Sequence, residues 1–286
     1  MNLLEPLHKS QTRRAAEIYK NLITSRHNPL IKELKALKKA LPDPSNRVIL
    51  EGFRLIEEGL KSNLSFDFLF LVPGLFDSLK ESSFFNEISR KVKIFQVTPQ
   101  VMESLSLEET PPGILAVARV PLKTVQLSGD FFLALCGIQD PGNAGSILRS
   151  AEGAGFSVWF SEETVHPFHP KVVKSSMGSV FRVECEKGEL IPFLKRLKEK
   201  GVSLIGTDVS KGVIYKNWDW KPPFCLLLGS EAKGLPDSIN PLLDGIVHIP
   251  LKGKVESLNV AAAGGILLFE SRWKSQCDQD HRQIPL

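Results

Sequence analysis

Several features that would define a protein class are scarce in this chain. Its 286 residues contain four cysteines, Cys136, Cys185, Cys225 and Cys277, far apart, with no C-x-x-C spacing and no partnered histidine pattern. That argues against a disulfide framework and against structural zinc. Cys136 and Cys225 lie inside apolar runs, where a thiol acts as a small core hydrophobe. The longest apolar stretch, 260–269, is about half of what a bilayer-spanning helix needs. No G-x-G-x-x-G follows the first strand of either half, which argues against a dinucleotide-dependent oxidoreductase. Nor does Ser230 sit in a nucleophile elbow, because the G-x-S-x-G pattern needs glycine where Leu228 stands. Internal repeats and low-complexity tracts are absent.

What the chain does have is enough length and apolar content, 42%, for two packed domains. Its net charge of +4 is unevenly spread. The first forty residues hold nine cations (Lys9, Arg13, Arg14, Lys20, Arg26, Lys32, Lys35, Lys38 and Lys39) against Glu5, Glu17 and Glu33, so the remainder is slightly acidic. A basic end of this kind is either a polyanion-binding surface or a solvated helix face. With Glu5 and Glu17 near the start and no signal-peptide apolar core, the expected location is cytoplasmic, a divergent organellar targeting segment being the alternative.

Residues 10–39 read as a polar helix broken at Asn28-Pro29. Strand-like runs at 47–50, 66–72, 92–97 and 113–120 then alternate with helix-like ones at 53–62, 76–80 and 99–105, the pattern of an α/β unit. The polar passage 121–129 separates an N-terminal domain, 1–120, from a second, 129–275. There, strands are expected at 131–138, 158–160, 202–206, 224–228 and 246–249, and helices at 143–154, 190–200 and 258–274. The run 131–138 is apolar on both faces, as in a buried parallel strand.

Three polar segments border these runs. In the first, Asp140-Pro141-Gly142 is turn chemistry, Asn143 can cap the helix that follows, and Arg149 lies nearly two turns along it. In the second, Gly229 marks a strand end where the backbone approaches something closely, and Glu231 follows at the mouth of the sheet. In the third, Ser257 is a natural N-cap, Asn259 has no packing explanation, and the small residues from Ala261 to Gly265 permit close approach of another backbone. Each segment alone has a purely structural reading. His166 and His169 have a metal-like spacing, but Pro167 and Pro170 disrupt helical presentation and no third ligand is evident. Trp218 and Trp220, flanked by Lys216 and Lys221, either stack on bases or anchor a loop.

In order and separation, Gly142 to Arg149, Leu228 to Leu235, and Ile249-Pro250-Leu251 followed by Ser257 to Ala261 resemble the signature motifs of the SpoU branch of the SPOUT superfamily, RNA ribose 2'-O-methyltransferases that use S-adenosylmethionine. Lys174-Ser175-Ser176-Met177-Gly178 resembles an auxiliary stretch near the RNA face. Farther upstream, Ile23-Thr24-Ser25, Asn28 to Lys32, Leu50-Glu51-Gly52 with Phe53-Arg54-Leu55, and Pro112-Gly113-Ile114 resemble the ribosomal-protein-like α/β domain that precedes many such catalytic domains and contacts RNA. One local departure is Ala144, where a larger apolar residue is usual.

The resemblance implies a parallel α/β sheet with a C-terminal trefoil knot and a homodimer whose active site lies at the interface, Arg149 coming from the partner. It places Asn143, Arg149, Glu231, Ser257 and Asn259 in the catalytic pocket, with S-adenosylmethionine held near Gly229, Ile249, Leu251 and Leu258. No metal and no membrane are implied. The substrate it favours is ribosomal RNA, with transfer RNA, or a non-catalytic ribosome-assembly role, as alternatives. Retention of Arg149, Glu231 and Asn259 argues against the non-catalytic one.

Overall fold

The computed structural model of the chain describes residues 22–280 apart from 41, 80, 91 and 122. Lys9, Arg13, Arg14, Lys20 and the first part of the expected 10–39 helix lie outside them. The chain divides into two compact units between Pro121 and Leu122.

The first unit holds β1 (Leu22–Ile23), α1 (Pro29–Ala40), β2 (Arg47–Glu51), α2 (Phe53–Lys61), β3 (Ser65–Leu71), α3 (Pro73–Leu79), α4 (Ser83–Ile88), β4 (Lys93–Val97), α5 (Pro99–Leu105) and β5 (Ile114–Arg119). Its sheet runs β1-β4-β3-β5-β2, and β5 is antiparallel to both β2 and β3. Residues 22–23 are therefore strand, where helix was expected. The helix starts later because the Asn28 side chain accepts the Leu30 N–H at 2.9 Å and Pro29 preorganises the first turn. Ile31, Leu34 and Leu37 of α1 are buried in a core with Val101, Met102 and Leu105 of α5, which turns Lys32 and Lys39 to solvent. Lys38 is different: its ammonium donates to the Ser106 carbonyl. The Glu51 carboxylate accepts from the Leu107 N–H at 2.8 Å and from the Ser106 hydroxyl, and the Gly52 N–H donates to the Ile114 carbonyl at 3.1 Å. Gly52 and Gly113 have φ of +88° and +78°, a region that favours glycine.

In the second unit the elements are β6 (Phe131–Cys136), α6 (Pro141–Ala154), β7 (Ser157–Ser161), α7 (Pro170–Ser175), β8 (Cys185–Gly188), α8 (Leu190–Glu199), β9 (Ser203–Thr207), β10 (Val213–Ile214), β11 (Phe224–Gly229), β12 (Gly245–His248) and α9 (Val260–Asp280). All seven strands are parallel, in the order β10-β12-β9-β11-β6-β7-β8. Central β6 and β11 are apolar on both faces, and Phe132, Cys136, Cys225 and Leu227 pack with Trp159, Phe193 and Leu197 on one side. Because β6 has its successor β7 on one side and the much later β11 on the other, the connections diverge there. A crevice outside the carboxyl ends of strands at such a point is where ligands bind in open α/β sheets.

Helix α9 lies against α6 through glycines. An added Cβ at Gly264 would come 2.9 Å from Leu228, and one at Gly153 would come 3.1 Å from the Phe269 ring. Both tryptophans of the 215–220 segment serve structure: Trp220 is buried and its indole N–H donates to the Tyr215 carbonyl at 2.9 Å, while Trp218 covers Gly245. Ala144 is fully buried. Helix α7 packs on the first turns of α6, where a Cβ on Gly145 would stand 1.9 Å from Ser175 Oγ and 2.8 Å from the Ser176 backbone nitrogen. Since backbone cannot rotate away as a flexible side-chain tip can, Gly145→Ala should lower stability by about 1–3 kcal/mol. All four tryptophans lie in this unit, so urea unfolding followed by their fluorescence reads the change directly; a wild-type midpoint would contradict it.

Candidate functional site

The carboxyl ends of β6 and β11 feed two of the polar segments into one crevice, and the third arrives from the loop after β12. Asp140, not Asn143, caps α6: its carboxylate accepts the Asn143 N–H at 2.7 Å, and Pro141 occupies the first helical position. An acidic residue directly before a helix-opening proline is itself a cap signal. With the cap supplied elsewhere, the Asn143 side chain is free to reach across. Its amide N–H donates to Glu231 Oε1, and its Oδ1 accepts the Asn259 amide at 2.9 Å.

The third segment shows a parallel shift. Helix α9 begins at Val260, and Asn259 is its cap, Oδ1 accepting the Ala261 and Ala262 N–H groups at 3.0 and 3.3 Å. Ser257 is exposed and lies two residues before that cap, so it does not cap the helix as the sequence suggested. One carboxamide thus closes a helix with its oxygen and grips Asn143 with its nitrogen.

Glu231 stands on a tight loop. Ser230 and Gly234 exchange backbone hydrogen bonds at 3.2 and 2.9 Å, and Ser230 Oγ accepts the Lys233 N–H at 3.2 Å. Gly229 is needed for this turn: a Cβ there would lie 2.2 Å from the Gly234 carbonyl carbon. The close approach expected at Gly229 is therefore to the chain's own backbone. Ile249, Leu251 and Leu258 are half-buried along the loop between β12 and α9. Among the described residues, the backbone of 251–258 makes no backbone hydrogen bond, leaving its N–H and C=O groups available.

Arg149 is not brought to this cluster within the chain. Six residues from Asn143 on α6, it is turned roughly 120° away and about 9 Å along the axis. It is exposed and, among the described residues, has no hydrogen bond or ion pair.

The two histidines lie on the loop after β7. His169 caps α7, Nδ1 accepting the Lys171 N–H at 3.3 Å, and His166 Nδ1 accepts the Phe168 N–H at 3.1 Å. Burial, with Lys187 and His169 adding repulsion, pushes the His166 pKa down to about 4. Sequence reasoning missed Asp140 as a cap, the contribution of Ser161 and Thr164, whose hydroxyls hold this loop to the one before α6, and that of Lys187, which ties the same loop to β8.

The profile of the SpoU rRNA Methylase family matches residues 130–269, and that of an MRM3-like substrate binding domain matches residues 28–116. An uncharacterized tRNA/rRNA methyltransferase of Synechocystis is 31% identical over 87% of this chain and 93% of its own length. The chain belongs to the SpoU rRNA methylase family. A 23S rRNA (guanosine(2553)-2'-O)-methyltransferase of Bacillus subtilis is 29% identical over 87% of this chain and 98% of its own. Among solved structures, the AdoMet-bound rRNA methyltransferase of Sinorhizobium meliloti superposes with a TM-score of 0.74 at 27% identity, covering 88% of this SpoU family chain and 97% of that one.

His166 gives a pH prediction. With the folded pKa below the ordinary value of 6.5, the unfolded chain binds the proton first as pH falls from 6.5 toward 4, so stability is present above that window and lost through it. His166→Asn keeps an acceptor for the Phe168 N–H and cannot titrate. Its urea-unfolding free energy should fall less over this range than the wild type's; coincident curves would contradict the buried, neutral imidazole.

Proposed function

We propose that this chain transfers a methyl group from S-adenosylmethionine to the 2'-hydroxyl of a ribose in ribosomal RNA. The observation that carries the reading is the hydrogen-bonded chain Glu231–Asn143–Asn259, which joins all three signature segments at the crevice of a SpoU family sheet. Relatives named as 23S rRNA 2'-O-methyltransferases and the AdoMet-bound neighbour support both substrate and cofactor.

The residues present suit that cofactor. The loop 249–258 offers half-buried apolar side chains at Ile249, Leu251 and Leu258 together with unpaired backbone groups, a combination suited to an adenine face and edge. When bound, S-adenosylmethionine supplies a methyl already activated on a sulfonium sulfur. The protein's part is alignment and charge. Asn143, held at both ends, keeps its amide fixed, and Glu231 retains a carboxylate oxygen beyond the one that Asn143 engages. Ser257, exposed beside Asn259, adds a hydroxyl. Arg149 stabilises negative charge developing on the ribose oxygen. It is not the base, because a guanidinium with a pKa above about 12 keeps its proton.

In this reading the enzyme is a cytoplasmic homodimer, and Arg149 serves the partner's pocket. Two features support it: Arg149 points away from its own chain's cluster, and Ile266, Phe269 and Trp273 form an apolar stripe on α9 that is 40%, 53% and 66% exposed. We also assign the loop after β12 and α9 to a trefoil knot, supported by β9 lying between β12 and β11. The 28–116 domain binds RNA, α1 presenting Lys32, Lys35 and Lys39.

Arg149→Ala should lower methyl transfer to ribosomal RNA by about 100-fold or more while calorimetry shows unchanged cofactor binding. Mixing that variant with Glu231→Gln, which leaves one intact pocket in each mixed dimer, should restore activity; full activity of Arg149→Ala alone, or no recovery on mixing, would remove Arg149 from the partner's pocket. Separately, Lys32→Glu, Lys35→Glu and Lys39→Glu together should weaken RNA binding and flatten its salt dependence. An unchanged salt slope would return α1 to a solvated face.

A further inference from the structure

Lys187 sits on the edge strand β8, in register with Phe160 of β7. Its ammonium donates to the carbonyls of Ser161 at 2.9 Å, Glu162 at 2.7 Å and Thr164. An ammonium has three N–H donors and no acceptor, so these bonds use it completely. Burial lowers its pKa, against the pull of Glu163 and Glu162. A lysine on a polar edge strand normally trails into water; this one is bound to a single turn, the one that follows β7.

From that turn the contacts lead to the pocket. Thr164 Oγ1 donates to the Leu135 carbonyl at 2.8 Å, so at its 3.0 Å contact with Ser161 Oγ the serine is the donor. Both oxygens accept the Gly137 N–H, at 3.1 and 3.0 Å, and the Val165 N–H donates to the Ile138 carbonyl at 2.9 Å. The loop from β6 into α6 is thereby stitched to the turn after β7. Gly137, with φ of +73°, also runs beside Ser230, where a Cβ would lie 3.8 Å from the serine's own. Three residues later Asp140 caps α6, and three after that Asn143 meets Glu231.

We infer that Lys187 is a positioning residue for methyl transfer: by fixing the turn 161–164 it fixes Gly137, and through it the placement of Asn143 against Glu231. The inference rests on the pocket proposed above. Lys187 touches no reacting atom, so its influence belongs in turnover and not in cofactor affinity.

The test uses the full chain, tritiated S-adenosylmethionine and total ribosomal RNA from cells lacking the gene. Lys187→Met keeps the apolar stem and removes the three donors; it should lower kcat by about 10- to 100-fold with KM for the methyl donor within about twofold of wild type. Lys187→Arg, which restores donors, should recover most of that loss, as a purely packing role would not require. Amide exchange at Gly137 should quicken in Lys187→Met while exchange in β11 stays as in the wild type. Wild-type kcat in the folded Met variant, or unchanged protection at Gly137, would overturn the inference. Should that variant not fold, Thr164→Val cuts the same relay at its other end and carries the same expectations. A wild-type chain without methyl transfer would instead strike the proposed function, whereas the exchange measurement reads the relay independently.

Discussion

Everything at the proposed site depends on one side chain held from both ends. Asn143 donates to a carboxylate on the loop after β11 and accepts from an amide at the head of α9, so two elements separated from it by 88 and 116 residues are fixed relative to α6. A carboxamide can do this because it carries donor and acceptor on one planar group. Aspartate would set two anions facing each other at Glu231, and a longer amide would not fit the same span.

The rest of the local structure leaves those groups free for that work. Asp140 satisfies the first turn of α6, sparing Asn143, while Asn259 divides its amide between helix capping and the cross-link. Glycines let the elements come close enough for such short side chains to meet: Gly229 makes the Glu231 loop possible, Gly145 admits α7, and Gly264 lets α9 settle on α6 and β11. The polar geometry at the mouth of the sheet thus follows from backbone packing beneath it.

Much of this was legible in the residues. The runs 131–138 and 224–228 are apolar on both faces, as a buried parallel strand requires, and two of the three polar segments stood at their ends, the third following the run 246–249. Edge elements were not legible: β8 reads Cys-Glu-Lys-Gly, four residues without a period, and its pairing is decided by β7 alone. The caps were misread by a few positions because Asp140 and Asn143, like Ser257 and Asn259, are both competent caps; Asn143 is drawn to Glu231 and leaves its helix to Asp140, while Asn259 caps α9 with its oxygen and binds Asn143 with its nitrogen. Lys187 was invisible for a similar reason, since nothing local tells a solvated lysine from one that holds three distant carbonyls.

The most direct measurement is a double-mutant cycle on the rate of methyl transfer with Asn143→Ala and Asn259→Ser, serine preserving the cap of α9. If the three segments act as one hydrogen-bonded unit, either change alone should lose most of the rate and the pair should be little worse than the weaker single variant. Losses that multiply would show that the two residues act separately and that the cross-link is incidental to the chemistry.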